Sequence, residues 1–127
     1  MIVKIPVSLG ELLDKISILL IKEQNIKDDK KLILVKEELK DLQKSKNQVL
    51  KGISSDKYLN ELVEVNSKLW DIEDEIRDCE RNKDFGENFI QLARSIYFNN
   101  DKRSKIKLEI NSKYGSKIVE VKSYEEY

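Results

Sequence analysis

The segment Glu87–Tyr114, ENFIQLARSIYFNNDKRSKIKLEINSKY, carries an apolar stripe at helical spacing that polar residues interrupt midway. Phe89, Leu92, Ala93 and Ile96 lie on one face, Asn99, Asn100, Arg103 and Lys107 occupy the positions that continue it, and Ile110 and Tyr114 resume it. A helix with that face turned inward either opens to solvent at the gap or encloses a polar pocket. Asp84 and Glu87 have capping-box spacing at its start, and Gly115 stands at its end, where a left-handed residue is needed.

Upstream, three more helices are expected. Ser8 and Glu11 form a capping box before Leu9, Leu12, Leu13, Ile16, Leu19 and Leu20, one broad stripe; Ile18 and Ile21 lie off it, so this helix has neighbours on more than one side and is the central one. Asp28 or Asp29 caps a second helix through Leu32, Val35, Leu39, Leu42 and Val49 or Leu50, stopped by Gly52. Ser54 or Ser55 starts a third, in which Leu62, Val65, Leu69, Ile72, Ile76 and Cys79 alternate by three and four, the seam of near-antiparallel bundle packing. The turn between the second and third lies in Lys44–Lys57, a Lys- and Ser-rich stretch expected to be mobile.

Both termini alternate like strands. Val3, Ile5 and Val7 share a face opposite Lys4 and Pro6, and Val119 and Val121 share one opposite Glu120 and Lys122. An even number of helices brings the termini to the same end, so the expected fold is mainly α: one domain, residues 1–127, a four-helix bundle with a small two-stranded β ribbon formed by the N- and C-terminal strands. Two strands alone are marginal in water, so the ribbon must pack on the bundle or extend across a dimer.

Composition agrees with helices that have solvated faces: of 127 residues 38% are charged, against about a quarter in ordinary globular chains, with 4 Gly and 1 Pro. Lys plus Arg equals Asp plus Glu at 24 each, so no net field draws the chain to nucleic acid or an anionic membrane. The single cysteine, Cys79, excludes an internal disulfide and fits a reducing compartment; with no His, the usual zinc and copper ligands are missing. The longest apolar run, Ile16–Ile21, falls far short of the roughly 20 residues of a membrane helix, and no signal-peptide pattern opens the chain. A cytoplasmic protein without nucleic-acid or membrane partners, metal or cofactor is expected.

Candidate site residues border the core stripes. The third helix offers Asn66, Trp70, Glu73 and Arg77, the fourth Arg94, Tyr97, Asn100, Asp101 and Arg103, and the first Glu11, Asp14, Lys15 and Lys22. If these borders face one another they form a cleft for a small anionic ligand, in which the Arg fork matches carboxylate or phosphate oxygens and Trp70 and Tyr97 form walls. The structural alternative pairs Arg77 and Arg103 with Glu73, Asp101 or Glu11 and leaves Trp70 covering the core edge. Glu61, Glu64, Glu75 and Asp78 resemble the magnesium-binding carboxylates of the all-α nucleoside triphosphate pyrophosphatases, although both pairs fall on one helix and a solvated face explains them as well. A chorismate-mutase-like bundle is an analogy of architecture only. Without His, a Ser or Cys nucleophile lacks its commonest base, and Cys79 sits on the core seam. The charged face of the first helix around Ile18, or Ile33 and Leu34 on the second, offers a contact for a homo-dimer.

The phrases VSLGELLDKISILLIK, LWDIEDEIR and LARSIYFNNDKRSKIKLEIN with IVEVKSY together resemble an uncharacterised family of short bacterial helical domains of unknown function. That resemblance spans nearly the whole chain and implies one fold unit associated with proteins of cell-surface sugar metabolism, without an activity to carry over. The expected function is a non-catalytic binding or assembly module. The alternative is a small-anion-binding protein or enzyme using the interhelical cleft, including a magnesium-dependent nucleotide pyrophosphatase.

Overall fold

Ser8 starts the first helix as its position predicts, its Oγ accepting the amide of Glu11 at 3.1 Å. The reciprocal half of the capping box is absent, because the Glu11 carboxylate accepts from Lys107 Nζ at 2.8 Å instead. In the computed structural model, which describes residues 1–127, four helices follow: α1 Leu9–Asn25, α2 Asp29–Leu50, α3 Asp56–Arg81 and α4 Glu87–Lys113. Asp28 caps α2 through its side chain, accepting the amides of Lys30 and Lys31 at 3.0 and 3.1 Å. No side chain caps α3 or α4; Asp84 Oδ1 accepts the Gly86 amide and Glu87 accepts from Gln91, so the second capping box does not form. The stretch expected to be mobile is helical as far as Leu50, and the chain turns there with Lys51 and Gly52 in the left-handed region.

α1 is the central helix. It packs on α2, α3 and α4, α3 and α4 pack on each other, and α2 lies against α1 alone among the helices. α1 runs antiparallel to α4, with Gly10 against Asn111 and Asp14 against Arg103. Leu13, Ile16, Leu62 and Ile110 are sealed at the centre of the core, joined by Leu9, Leu12, Leu19, Val35, Leu39, Leu50 and Tyr58. Of the expected seam on α3, Leu62, Val65 and Cys79 are buried and Leu69, Ile72 and Ile76 are half-buried. No helix is long and apolar enough to cross a membrane.

The two-stranded ribbon does not form: the chain contains no strand. Residues 1–7 lead into α1 with Ile2, Val3, Ile5 and Val7 exposed, while the C-terminal tail turns at Gly115 (φ +67) and runs back along α4. Ser116 Oγ accepts the Leu9 amide at 3.3 Å, Glu120 meets Lys107 at 2.9 Å, and the Tyr127 hydroxyl donates to Asp101. Side-chain anchors on α4 thus take the tail away from the N-terminal segment, and a two-stranded ladder is too weak to compete with them.

Lengths place the open part of the molecule. At about 1.5 Å per residue the 26 and 27 residues of α3 and α4 outreach the 17 of α1 by roughly 14–15 Å. The α1–α4 register puts that excess at the α3–α4 turn, where the face that both helices present to α1 elsewhere has no helix over it.

Gly10 sets how closely α1 approaches α4. A Cβ there would stand 2.7 Å from the Lys107 carbonyl oxygen and 3.0 Å from Asn111 Oδ1, closer than backbone can tolerate. Gly10→Ala is therefore expected to destabilise the protein by about 1–3 kcal/mol, despite the higher helix propensity of Ala. Equilibrium urea unfolding measures this, and an unchanged or raised midpoint would show that the two helices are not held at this spacing.

Candidate functional site

The polar gap of α4 faces α1, where Asp14 is 1% exposed in an otherwise apolar neighbourhood. A buried carboxylate needs compensating donors. Arg103 supplies a two-pronged pair, Nε to Oδ1 at 2.9 Å and Nη2 to Oδ2, and Asn66 of α3 donates from Nδ2 to the same Oδ1 at 2.9 Å. Asn66 Nδ2 also donates to Ser17 Oγ at 2.8 Å, and that hydroxyl donates to the Asp14 carbonyl at 2.6 Å. One carboxylate thereby ties α1, α3 and α4 together. The hydrogen bond to Asp14 is the largest influence on Arg103 and raises its pKa above the ordinary value, against the opposing effect of burial.

One turn further along α4, Lys107 is buried between Glu11 at 2.8 Å and Glu120 at 2.9 Å. Of the other gap residues, Asn99 returns its amide to the Ser95 carbonyl at 2.8 Å, while Asn100 is exposed. Asn111 Oδ1 accepts the Gly10 amide at 2.8 Å, and its Nδ2 is the one buried side-chain polar atom without a partner.

Above the Asp14 network lies a cleft of about 460 Å³. Ile18 and Ile21 of α1 form one wall with Leu69 and Trp70 of α3; Glu73, Asp74 and Arg77 line it further up α3, Asn100 enters from α4, and Asn66 and Arg103 form the floor. Six of the nine candidates chosen from sequence, Asn66, Trp70, Glu73, Arg77, Asn100 and Arg103, therefore meet in one concavity. Arg77 pairs with Glu73 at 3.2 Å, whereas Arg103 pairs with Asp14 rather than with Glu73, Asp101 or Glu11.

The other three candidates lie elsewhere. The Tyr97 ring stands 4.8 Å from Phe98 and 5.4 Å from Tyr127, Arg94 lies over the Phe98 ring at 5.9 Å, and Asp101 accepts from Tyr127. They hold the tail. Sequence reasoning missed Ser17, Asp74, Asn111 and the tail anchors Glu120 and Tyr127. For Ser17 a signal existed: with Asp14 it interrupts a helix that is apolar on several sides, so both had to be buried and partnered. Glu61, Glu64, Glu75 and Asp78 span about 25 Å of one helix, and no three His, Cys, Asp or Glu side chains converge as a metal site would require.

The tail anchor has a definite pH response. Hydrogen bonds from Lys107, then Lys122, hold Glu120 below the usual carboxylate range, so its stabilisation is complete above about pH 4.3 and is lost as pH falls through the lowered value. Burial alone would lower Lys107, but the bonds to Glu11 and Glu120 prevail and raise it; its stabilisation holds below about pH 10.4 and is lost as pH rises through the raised value. The Tyr127 hydroxyl, donating to Asp101, is pushed up to about 12. The tail is expected to stay docked across neutral pH and to release in acid and in strong base. NMR methyl shifts of Val119 and Val121 followed against pH test this, and an acid limb without any transition would refute the Glu120 anchor.

No curated protein and no solved structure matches this chain. A family profile does, along residues 3–127. The chain belongs to a family of unknown function (DUF6165).

Proposed function

We propose that the protein is a binding module without chemistry of its own, and that its specificity lies in the cleft between α1, α3 and α4. The observation that carries this reading is the Asp14–Arg103–Asn66 floor. Polar groups on three helices are fixed by a buried carboxylate and line a concavity with an aromatic wall, the arrangement of a pre-organised small-molecule site. The carboxylates beside it, Glu73 and Asp74, are exposed neighbours on one helix, which favours recognition over acid–base catalysis.

Charge weighs against the alternative of a free phosphate or dicarboxylate. The lining residues Glu73, Asp74, Arg77 and Arg103, with Asp14 beneath them, carry three negative and two positive charges, one net negative. The spread of Glu61, Glu64, Glu75 and Asp78 along α3 likewise favours a solvated face over a magnesium-dependent pyrophosphatase centre. A ligand with hydroxyl groups and one apolar face, as sugars have, suits Trp70 and the polar rim, and this is the chemical sense in which a link to cell-surface sugar metabolism is retained.

A second reading, self-association, is favoured by the exposed apolar residues Ile2, Val3, Ile5 and Val7 at one terminus and Val119, Val121 and Tyr124 at the other. A homo-dimer that covers them is the assembly role proposed. Sedimentation equilibrium at increasing concentration is expected to show a dimer that Val3→Asp weakens; a concentration-independent monomer excludes it.

Trp70 is the only tryptophan and lines the cleft, so fluorescence excited selectively at the indole, to the red of tyrosine absorption, reports on it. Titration with sugars, sugar nucleotides, nucleotides, amino acids and dicarboxylates is expected to give a saturable change for at least one class. Asn100→Ala is expected to weaken it about tenfold while leaving the melting temperature near that of the wild type, since this exposed side chain holds nothing within the fold. Silence of Trp70 towards every class would sink the binding reading.

A further inference from the structure

Arg103 has five N–H donors, and Asp14 takes two of them along the Nε–Nη2 edge. The end-on edge, Nη1 with the second Nη2 hydrogen, meets no acceptor in the protein. Nη1 is not among the sealed polar atoms either, since Asn111 Nδ2 alone is both buried and unpartnered. Arg103 lines the cleft, so an unsealed edge with two parallel donors is available to a ligand there.

Asn66 is complementary. Its Nδ2 is committed to Asp14 and Ser17, which fixes the amide orientation and leaves Oδ1 as an acceptor within a residue that is 5% exposed and lines the same floor. Arg103 Nε and Asn66 Nδ2 bond the same oxygen, Asp14 Oδ1, so the two side chains are neighbours on the floor of the cleft. Glu73 adds a carboxylate above them, and Trp70 an apolar wall. A fork of donors beside a carbonyl acceptor and a carboxylate matches a group that carries negative charge on one atom set and hydrogen-bond donors on the next.

We infer that the cleft takes an α-amino carboxylate with an apolar side chain: the carboxylate end-on to Arg103, the ammonium between Asn66 Oδ1 and Glu73, and the side chain on Trp70. This rests on the binding reading above and assigns its cleft one ligand class, in place of the sugar considered there. A zwitterion also suits the charges already present, because it adds no net charge to a site whose own ions nearly cancel. A phosphate or dicarboxylate would add negative charge beside Asp14, Glu73 and Asp74.

The experiment is a fluorescence titration of the full chain with L-phenylalanine, 3-phenylpropanoate, which lacks the ammonium, and 2-phenylethylamine, which lacks the carboxylate. L-phenylalanine is expected to bind about tenfold or more tighter than either analogue. Arg103→Lys keeps a cation beside Asp14 but removes the end-on fork, and it is expected to bring L-phenylalanine down to the level of 2-phenylethylamine. Should that variant fail to fold, the three-ligand comparison on the unaltered protein still decides. Equal binding of the three compounds, or a folded Arg103→Lys protein that binds L-phenylalanine unchanged, overturns the assignment. If L-phenylalanine gives no response while another class in the wider panel does, the assignment fails and the cleft reading stands; silence to everything removes both.

Discussion

Asp14 is a carboxylate in the interior of a small protein, and taking it out of water costs several kcal/mol before any partner is counted. Arg103 and Asn66 offset that cost from two other helices, and Ser17, one turn along α1, fixes Asn66 by accepting from the same amide nitrogen. A purely apolar contact at this position would tolerate sliding of one helix on another, because hydrophobic burial has no direction. Hydrogen bonds of fixed length do not, and the relative heights of α1, α3 and α4 are therefore set at Asp14. The close approach at Gly10, the burial of Lys107 and the position of the cleft all inherit that register.

Unequal lengths act on this fixed register. α1 ends while α3 and α4 continue toward their turn, and the cleft lies beside its C-terminal half, with Ile18 and Ile21 of α1 across from Leu69 and Trp70 and with Glu73, Asp74 and Arg77 following along α3. The same geometry explains why burial is uneven, with the sealed residues gathered around Leu13, Ile16, Leu62 and Ile110 and little beyond Cys79 and Leu92 in the far half of the α3–α4 pair. The sealed residues gather around α1, and the polar concavity opens beside them, over the floor that Asn66 and Arg103 form on Asp14.

Much of this was legible in the chain. The number of helices, the central position of α1 and the cap at Ser8 follow from periodicity and local side-chain chemistry, both of which act over a few residues. Of the residues that interrupt the α4 stripe, Arg103 and Lys107 turn to carboxylates of α1 while Asn100 is exposed, and the borders chosen on α3 and α4 converge for six of nine residues. What could not be read was which partner each group takes across a long separation. Arg103 had several carboxylates within plausible reach, and only packing selects Asp14. The terminal alternation of apolar residues was a true pattern with the wrong consequence: period two permits a strand, but a ladder needs a second segment alongside, and Glu120 and Tyr127 carry the tail off along α4. Tyr97 and Asp101 lie outside the cleft for the same reason, since the tail that meets them through Tyr127 was assigned elsewhere.

The partners of Asp14 also bear on how the chain folds as it is made. Arg103 lies 89 residues downstream and Asn66 52, so when α1 and α2 first emerge from a ribosome the carboxylate has no acceptable interior to enter. α1 can pair with α2 early through Val35 and Leu39, but its other face must stay hydrated until the last helix arrives. Closure thus waits for the C-terminal third of the chain, which makes a buried charge act as a checkpoint against premature collapse.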